Sequence, residues 1–335
     1  MTVTETAERQ RRALPEHARS RRLDADSIAY LALLVTATIW GTTAIGIKVA
    51  LETYPPFILT TGRWLLSLAI LIPAMRRLGI RPILDRRTAI LGLFGILGFN
   101  TFFTFGLERT SAANGSLING ALPVVVALIS FLILNERLAP IRVVGIVLSL
   151  IGVVITVLGA TLDASVLGNV LIFGAVLSWA IYTIFNRERL RGENPVGIIA
   201  GSALFGMLMM IPFAAVEWLQ DTPPVPGLGL AAIIVYLSIG PAMLANYFWV
   251  FALDRVPASQ AAVFSNLTPI VGIVLAGVLL DEPITRFHVI GALLVICGVL
   301  LTTWRRRPPA SYAEGSTKSI ATNPVSPATE TSIQR

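Results

Sequence analysis

"NGALPVVVALISFLILNE", residues 119–136, is a long apolar run of helical length with Pro123 near its start. Proline inside a helix removes a backbone hydrogen bond and clashes with the preceding turn, at ~3 kcal/mol or more. "SNLTPIVGIVLAGVLLDE", residues 265–282, has the same shape. Pro269 follows Pro123, and Glu282 follows Glu136, by 146 positions. A helix breaker therefore recurs at the same place in two related apolar segments.

Apolar runs recur along most of the chain. Of 335 residues, 55% are hydrophobic and 13% charged, with a mean hydropathy of +0.76. That is too little charge to cover a soluble fold of this length. A bilayer core needs roughly 20 apolar helical residues per crossing. The expected fold is all-α: a polytopic membrane protein with ten transmembrane helices. They fall near residues 29–51, 57–75, 88–107, 112–134, 143–160, 167–185, 195–216, 228–253, 258–280 and 287–304. The lipid bilayer is thus one partner.

Net charge +7 does not point to nucleic acid, because the arginines cluster in short loops between apolar runs. With both termini cytoplasmic, 22 of the 26 Lys and Arg fall inside, six of them in the basic arm. Only Arg109 and Arg286 fall outside, while Lys48 and Arg63 lie within spans. The positive-inside rule supports this orientation in a cytoplasmic (plasma) membrane. The single cysteine, Cys297, excludes an intrachain disulfide, and His17 and His288 are too far apart in sequence to suggest a metal site.

The 146-residue offset also pairs Asn100 with Asn246, Phe102 with Phe248, Gly145 with Gly291, and Gly152 with Gly298. Trp40 and Trp179 hold comparable places in spans 1 and 6. The chain divides into a basic cytoplasmic arm (1–28), a first repeat (29–160, spans 1–5), a second repeat (161–304, spans 6–10) and a disordered cytoplasmic tail (305–335). Five spans per repeat is an odd number, so the second copy inserts upside down. Inverted repeats are how many secondary transporters build two access states around one midplane site.

Several stretches resemble the EamA family of the drug/metabolite transporter superfamily. "IWGTTAIGIKVAL" (39–51) is similar to its span-1 pattern, and "PPFILTTGRWLLSLAI" (55–70) to its span-2 pattern with an early Arg. "RTSAANGSLINGALPVVVALISFLILNERL" (109–138) resembles the end of a repeat, and "ASQAAVFSNLTPIVGIVLAGVLLDEPI" (258–284) resembles it again. The resemblance implies ten helices in inverted repeats. It also implies transport of amino acids or other small metabolites, mostly export. One departure is that Asn119 aligns with Ser265, whereas the second copy carries its amide at Asn266.

Candidate substrate-binding or pathway residues follow. Arg63 lies deep in span 2, where a charge is costly and usually functional. Lys48 is nearer a span end, where snorkelling is an alternative. Asn100 and Asn246 read either as steps of a pathway or as interhelical hydrogen bonds. Trp40, Trp179 and Tyr182 line a cavity or pack, and Asn119, Ser265 and Asn266 flank the prolines. Pro123 and Pro269 read as breaks that bend during transport or meet a ligand. Glu136 and Glu282 read as interfacial ion pairs with arginine. The carboxylates sit near span ends, as does His288.

No catalytic or cofactor motif stands out: there is no HExxH, phosphate-loop lysine or G-x-S-x-G, and no metal or cofactor is implied. The sequence reads as a non-enzymatic secondary transporter of a small molecule. An amino acid or related carboxylate, exported by alternating access, is the leading substrate. An importer or exchanger, a channel or a membrane-embedded enzyme is the alternative. A homo-oligomer is compatible with all of these.

Overall fold

A computed structural model describes residues 16–134, 139–158, 166–189, 193–253, 264 and 267–303. The described residues are helical throughout their ordered elements. Helix α1 is Glu16–Gly41, α2 Thr43–Leu51, α3 Pro56–Arg77 and α4 Arg86–Leu91. A π-helical segment, Gly92–Gly98, leads into α5, Phe99–Arg109. Then come α6 Ala112–Gly120, α7 Leu122–Leu134, α8 Pro140–Leu158, α9 Val166–Arg189 and α10 Pro195–Gln220. Helix α11, Leu228–Ile239, passes through a second π-helical segment, Gly240–Leu244, into α12, Ala245–Leu253. Helices α13, Leu267–Leu279, and α14, Arg286–Thr303, complete the set.

Among the described residues, seven helical runs are long and apolar enough to cross a membrane. The pair α6 and α7 qualifies together as an eighth, bent by 41° at Ala121. Helices α13 and α14 are apolar but shorter. Large apolar side chains cover the outside, among them Leu65, Leu132, Val154 and Leu293, each more than half exposed. An apolar exterior suits a lipid surround and not water. Leu107, Leu117, Ile118, Ile172 and Leu237 are fully buried at the centre.

Local chemistry starts the helices. Pro56 opens α3, where its missing N–H costs nothing. Asp85 and Thr88 form a capping box for α4, Ser111 caps α6 and Asn194 caps α10.

Pro123 does not interrupt a helix. It sits in the first turn of α7, just after the Gly120–Leu122 break. Pro269 lies in α13, whose described residues begin at Leu267, and packs on that break: a Cβ at Gly120 would meet Pro269 Cγ at 2.9 Å. Two further prolines, Pro73 in α3 and Pro212 in α10, are spaced as Trp40 and Trp179 are, and both are interior.

Helices α8 and α14 pack through glycine. A Cβ on Gly145 would lie 2.6 Å from the Gly298 carbonyl oxygen, and one on Gly152 would lie 2.8 Å from that of Gly291. The register runs backward along α14, so the pair is antiparallel. Ser149 Oγ, between the two glycines, donates to Val295 O at 3.0 Å. Thr156 and Thr302 bond alike to the carbonyls of Gly152 and Gly298.

Candidate functional site

The π-helical segment Gly240–Leu244 organises the polar interior. Pro241 has no N–H, so the carbonyl of Leu237, four residues earlier, loses its helical donor. An unpaired carbonyl at membrane depth costs several kcal/mol, so neighbours must serve it. Arg63 of α3 does so: its terminal nitrogen donates to Leu237 O at 3.3 Å. One turn on, Ser67 Oγ donates to Ser238 O at 2.6 Å. Trp40 Nε1 reaches Pro241 O at 3.4 Å. Asn246 Nδ2 donates to Pro241 O and Ala242 O, both at 3.1 Å. Three sequence candidates, Trp40, Arg63 and Asn246, thus converge on one break. The signal that would have found it, Gly240-Pro241 in mid-span, was legible.

The first repeat carries the matching feature. Residues 92–98 map by the 146 offset onto 238–244, so the two π-helical segments share a register. Asn100 Nδ2 donates to Ile96 O at 2.7 Å, as Asn246 does in the second copy. Ser178 Oγ, beside Trp179, serves Phe94 O at 2.8 Å. Each amide therefore bonds within its own span, not between helices. Trp179 packs on Phe99 at 5.0 Å and on Tyr182 at 4.8 Å, and Trp40 packs on Trp249 at 5.5 Å.

Arg63 is not used up by this stitching. It is 7% exposed, and its Nε and second terminal nitrogen are buried without a partner. No charged neighbour offsets its burial, and it forms no ion pair among the described residues. Thr60 and Thr104, 3.3 Å apart, lie one turn from Arg63 and Asn100 on antiparallel helices. That geometry sets Arg63 and Asn100 at neighbouring depths. The result is a buried cation with donors to spare, one turn from Thr60 and at the depth of Asn100.

Lys48 has a different setting. Its Nζ donates to Leu107 O and Thr110 O, each at 2.7 Å, where α5 leaves carbonyls unpaired. Across the same turn, Glu282 accepts from Ala112 N at 2.7 Å and Ala113 N at 2.9 Å. A cation thus caps the end of α5 and an anion the start of α6, as the helix dipoles favour. Glu282 is held by backbone, not by the arginine that its interfacial position suggests. Glu217 repeats the device, accepting from Ile58 N at the start of α3. Asn119 Oδ1 is buried without a partner at the α6–α7 break. Ser265, Asn266 and Glu136 lie outside the described residues.

A many-pass helical bundle with paired interior breaks and a buried, unsatisfied cation has the features of a membrane transporter. Comparison with known proteins agrees. The EamA-like transporter family matches twice, over residues 27–158 and 166–304, and the chain belongs to that family. The uncharacterized transporter YetK of Bacillus subtilis is 25% identical over 87% of this chain and 92% of its own length. An uncharacterized transporter of Archaeoglobus fulgidus is 27% identical over 83% of this chain and 99% of its own length. A probable amino-acid metabolite efflux pump of Salmonella typhimurium is 27% identical, covering 82% and 94%. One crystal structure superposes with a TM-score of 0.58 at 23% identity, covering 83% of this chain and 96% of that chain, which shows the fold. The protein is therefore a multi-pass membrane transporter and not an enzyme.

Proposed function

We propose that the protein is a secondary transporter that exports a small carboxylate-bearing metabolite, most simply an amino acid, by alternating access. Arg63 carries this reading. A buried guanidinium with two unpartnered nitrogens and no counter-charge attracts an anion. A substrate carboxylate fits those donors, and guanidinium binds carboxylate in a two-pronged geometry. Asn100, Thr60 and Thr104 supply neutral polar groups at neighbouring depths, Trp40 meets the same break at Pro241 O, and Trp179 packs on Phe99 beside Asn100. The name of the Salmonella relative supports an amino-acid substrate and an outward direction.

The chain crosses the membrane ten times in this reading: seven long runs, the bent α6–α7 pair, α13 and α14. Both ends are cytoplasmic, so the turns at 52–55, 110–111, 221–227 and 280–285 face outward. The self-matched contact of α8 with α14 supports an inverted repeat, since a two-fold axis perpendicular to two antiparallel helices exchanges them. Such an axis lies in the membrane plane and lets one half adopt the shape of the other. Purified protein in liposomes tests the reading. Counterflow of amino acids, against organic cations of similar size, is expected to favour the former and to fall strongly in Arg63→Gln. Preferred movement of organic cations contradicts it.

A further inference from the structure

A chain of buried hydrogen bonds crosses the outer end of the bundle, away from Arg63. Thr285 N donates to His288 Nδ1 at 3.0 Å. His288 Nε2 lies 2.8 Å from Asn114 Oδ1. Asn114 Nδ2 donates to Thr110 Oγ1 at 3.2 Å, and Thr110 Oγ1 donates to Asn169 Oδ1 at 2.6 Å. His288 is 5% exposed, Asn114 1%, Thr110 2% and Asn169 0%. A backbone N–H can only donate, so Nδ1 carries the lone pair and Nε2 the hydrogen. His288 is therefore neutral here, and every proton in the chain has a fixed direction. Asn114 and Thr110 belong to the first matched segment of the family, and Asn169 and His288 to the second. Glu282, also in the second, caps α6 in the first.

We propose that this chain is a proton-operated latch that joins the two repeats at the outer face, with His288 as its proton-binding residue. The proposal rests on the reading that the repeats move between two access states. A proton taken up at Nδ1 sets two donors against each other, the imidazolium N–H and the Thr285 N–H. Thr285 Oγ1, 3.1 Å from Nδ1, is the acceptor at hand, but turning to it leaves the Thr285 N–H without a partner. The new charge also draws Glu282, which already serves Ala112 and Ala113. The first effect loosens the start of α14, and the second draws the 280–285 turn off the start of α6.

The other charges nearby are already engaged or stand apart. Lys48 is held by Leu107 and Thr110 carbonyls, Glu108 pairs with Arg109, and Arg286 lies over the Phe287 ring at 5.2 Å. Asp281 holds the left-handed turn at φ 51° that presents Glu282, and Glu52 caps α2. Helices α6, α8 and α9 bring no charged side chain to this end among the described residues. The position 146 residues before His288 is Arg142, whose charge is permanent. Only the outer copy of this position therefore carries a side chain whose charge can change.

Access from outside tests the latch without any substrate. Ile172, fully buried, packs against Gly106 and Gly115 one turn below Asn169. In the full chain with Cys297→Ala, Ile172→Cys is exposed to an impermeant maleimide, and Thr222→Cys corrects for thiol reactivity. Lowering external pH from about 8 to about 5.5, the range in which histidine charges, is expected to raise corrected labelling several-fold. His288→Gln is expected to remove that dependence. Equal labelling at both pH values in the parent, or a rise that survives His288→Gln, overturns the latch. If His288→Gln does not reach the membrane, Asn114→Ala keeps the histidine and is expected to label fast at both pH values. Slow labelling at both overturns the proposal. A wrong substrate assignment leaves all these results unchanged.

Discussion

Ser149 Oγ donates its hydrogen bond to the carbonyl of Val295, the residue 146 positions on that is its own counterpart in the repeat. Around this contact, Gly145 meets Gly298 and Gly152 meets Gly291, each pair the image of the other. Matched substitutions should therefore have matched effects. Gly145→Val and Gly291→Val are both expected to destabilise, by ~1–3 kcal/mol from overpacking. Thermal unfolding of the protein in detergent checks this, with Gly62→Val, which faces open space, as the unaffected control.

Arg63 and Pro241 are energetically linked because the proline creates the unpaired Leu237 carbonyl that the arginine serves. Pro241→Ala restores a backbone N–H for that carbonyl. Arg63→Gln should then disturb stability less in a Pro241→Ala background than alone. A double-mutant cycle is expected to give a coupling of ~0.5–3 kcal/mol. Additive effects contradict the link.

Lys48 and Glu282 fix opposite sides of the Thr110–Ala112 turn. Glu282→Gln keeps an acceptor but loses the charge and is expected to destabilise by about 0.5–2 kcal/mol. Lys48→Met removes donors from two carbonyls and is expected to cost at least as much. Unfolding curves measured in detergent at fixed pH report both.

The interior breaks show how far the sequence was readable. The 146-residue offset located both prolines, both asparagines and the paired glycines, because equal spacing survives in the letters. The π-helical segments were missed because apolar periodicity looks the same across a single wide turn. Pro241 alone signalled one of them, inside "SIGPAML". Arg63 was marked as an intramembrane charge, but its role at Leu237 depends on a helix 174 residues away in sequence. His288 was noted as lying near a span end and as too far from His17 to suggest a metal site. Its partners Asn114, Thr110 and Asn169 come from other elements, so no local pattern joins them. Glu282 invited an arginine partner, and the backbone N–H groups of α6 carry no signature in the side-chain sequence.

Orientation has its own check. In the cysteine-free chain, Thr222→Cys is expected to react with an impermeant reagent in intact cells, while Arg81→Cys is shielded until the membrane is opened. Both positions are exposed, so protection reports the membrane and not burial. Labelling of Arg81→Cys from outside reverses the orientation.

That Arg63 holds a substrate carboxylate is tested most directly by binding to the purified protein, comparing an amino acid with the amide that lacks its carboxylate charge. The wild type is expected to bind the carboxylate form more tightly. Arg63→Gln should abolish that preference, while Arg63→Lys, a cation without the two-pronged fork, keeps part of it. An unchanged preference in Arg63→Gln, in protein that is folded by its unfolding curve, contradicts the account.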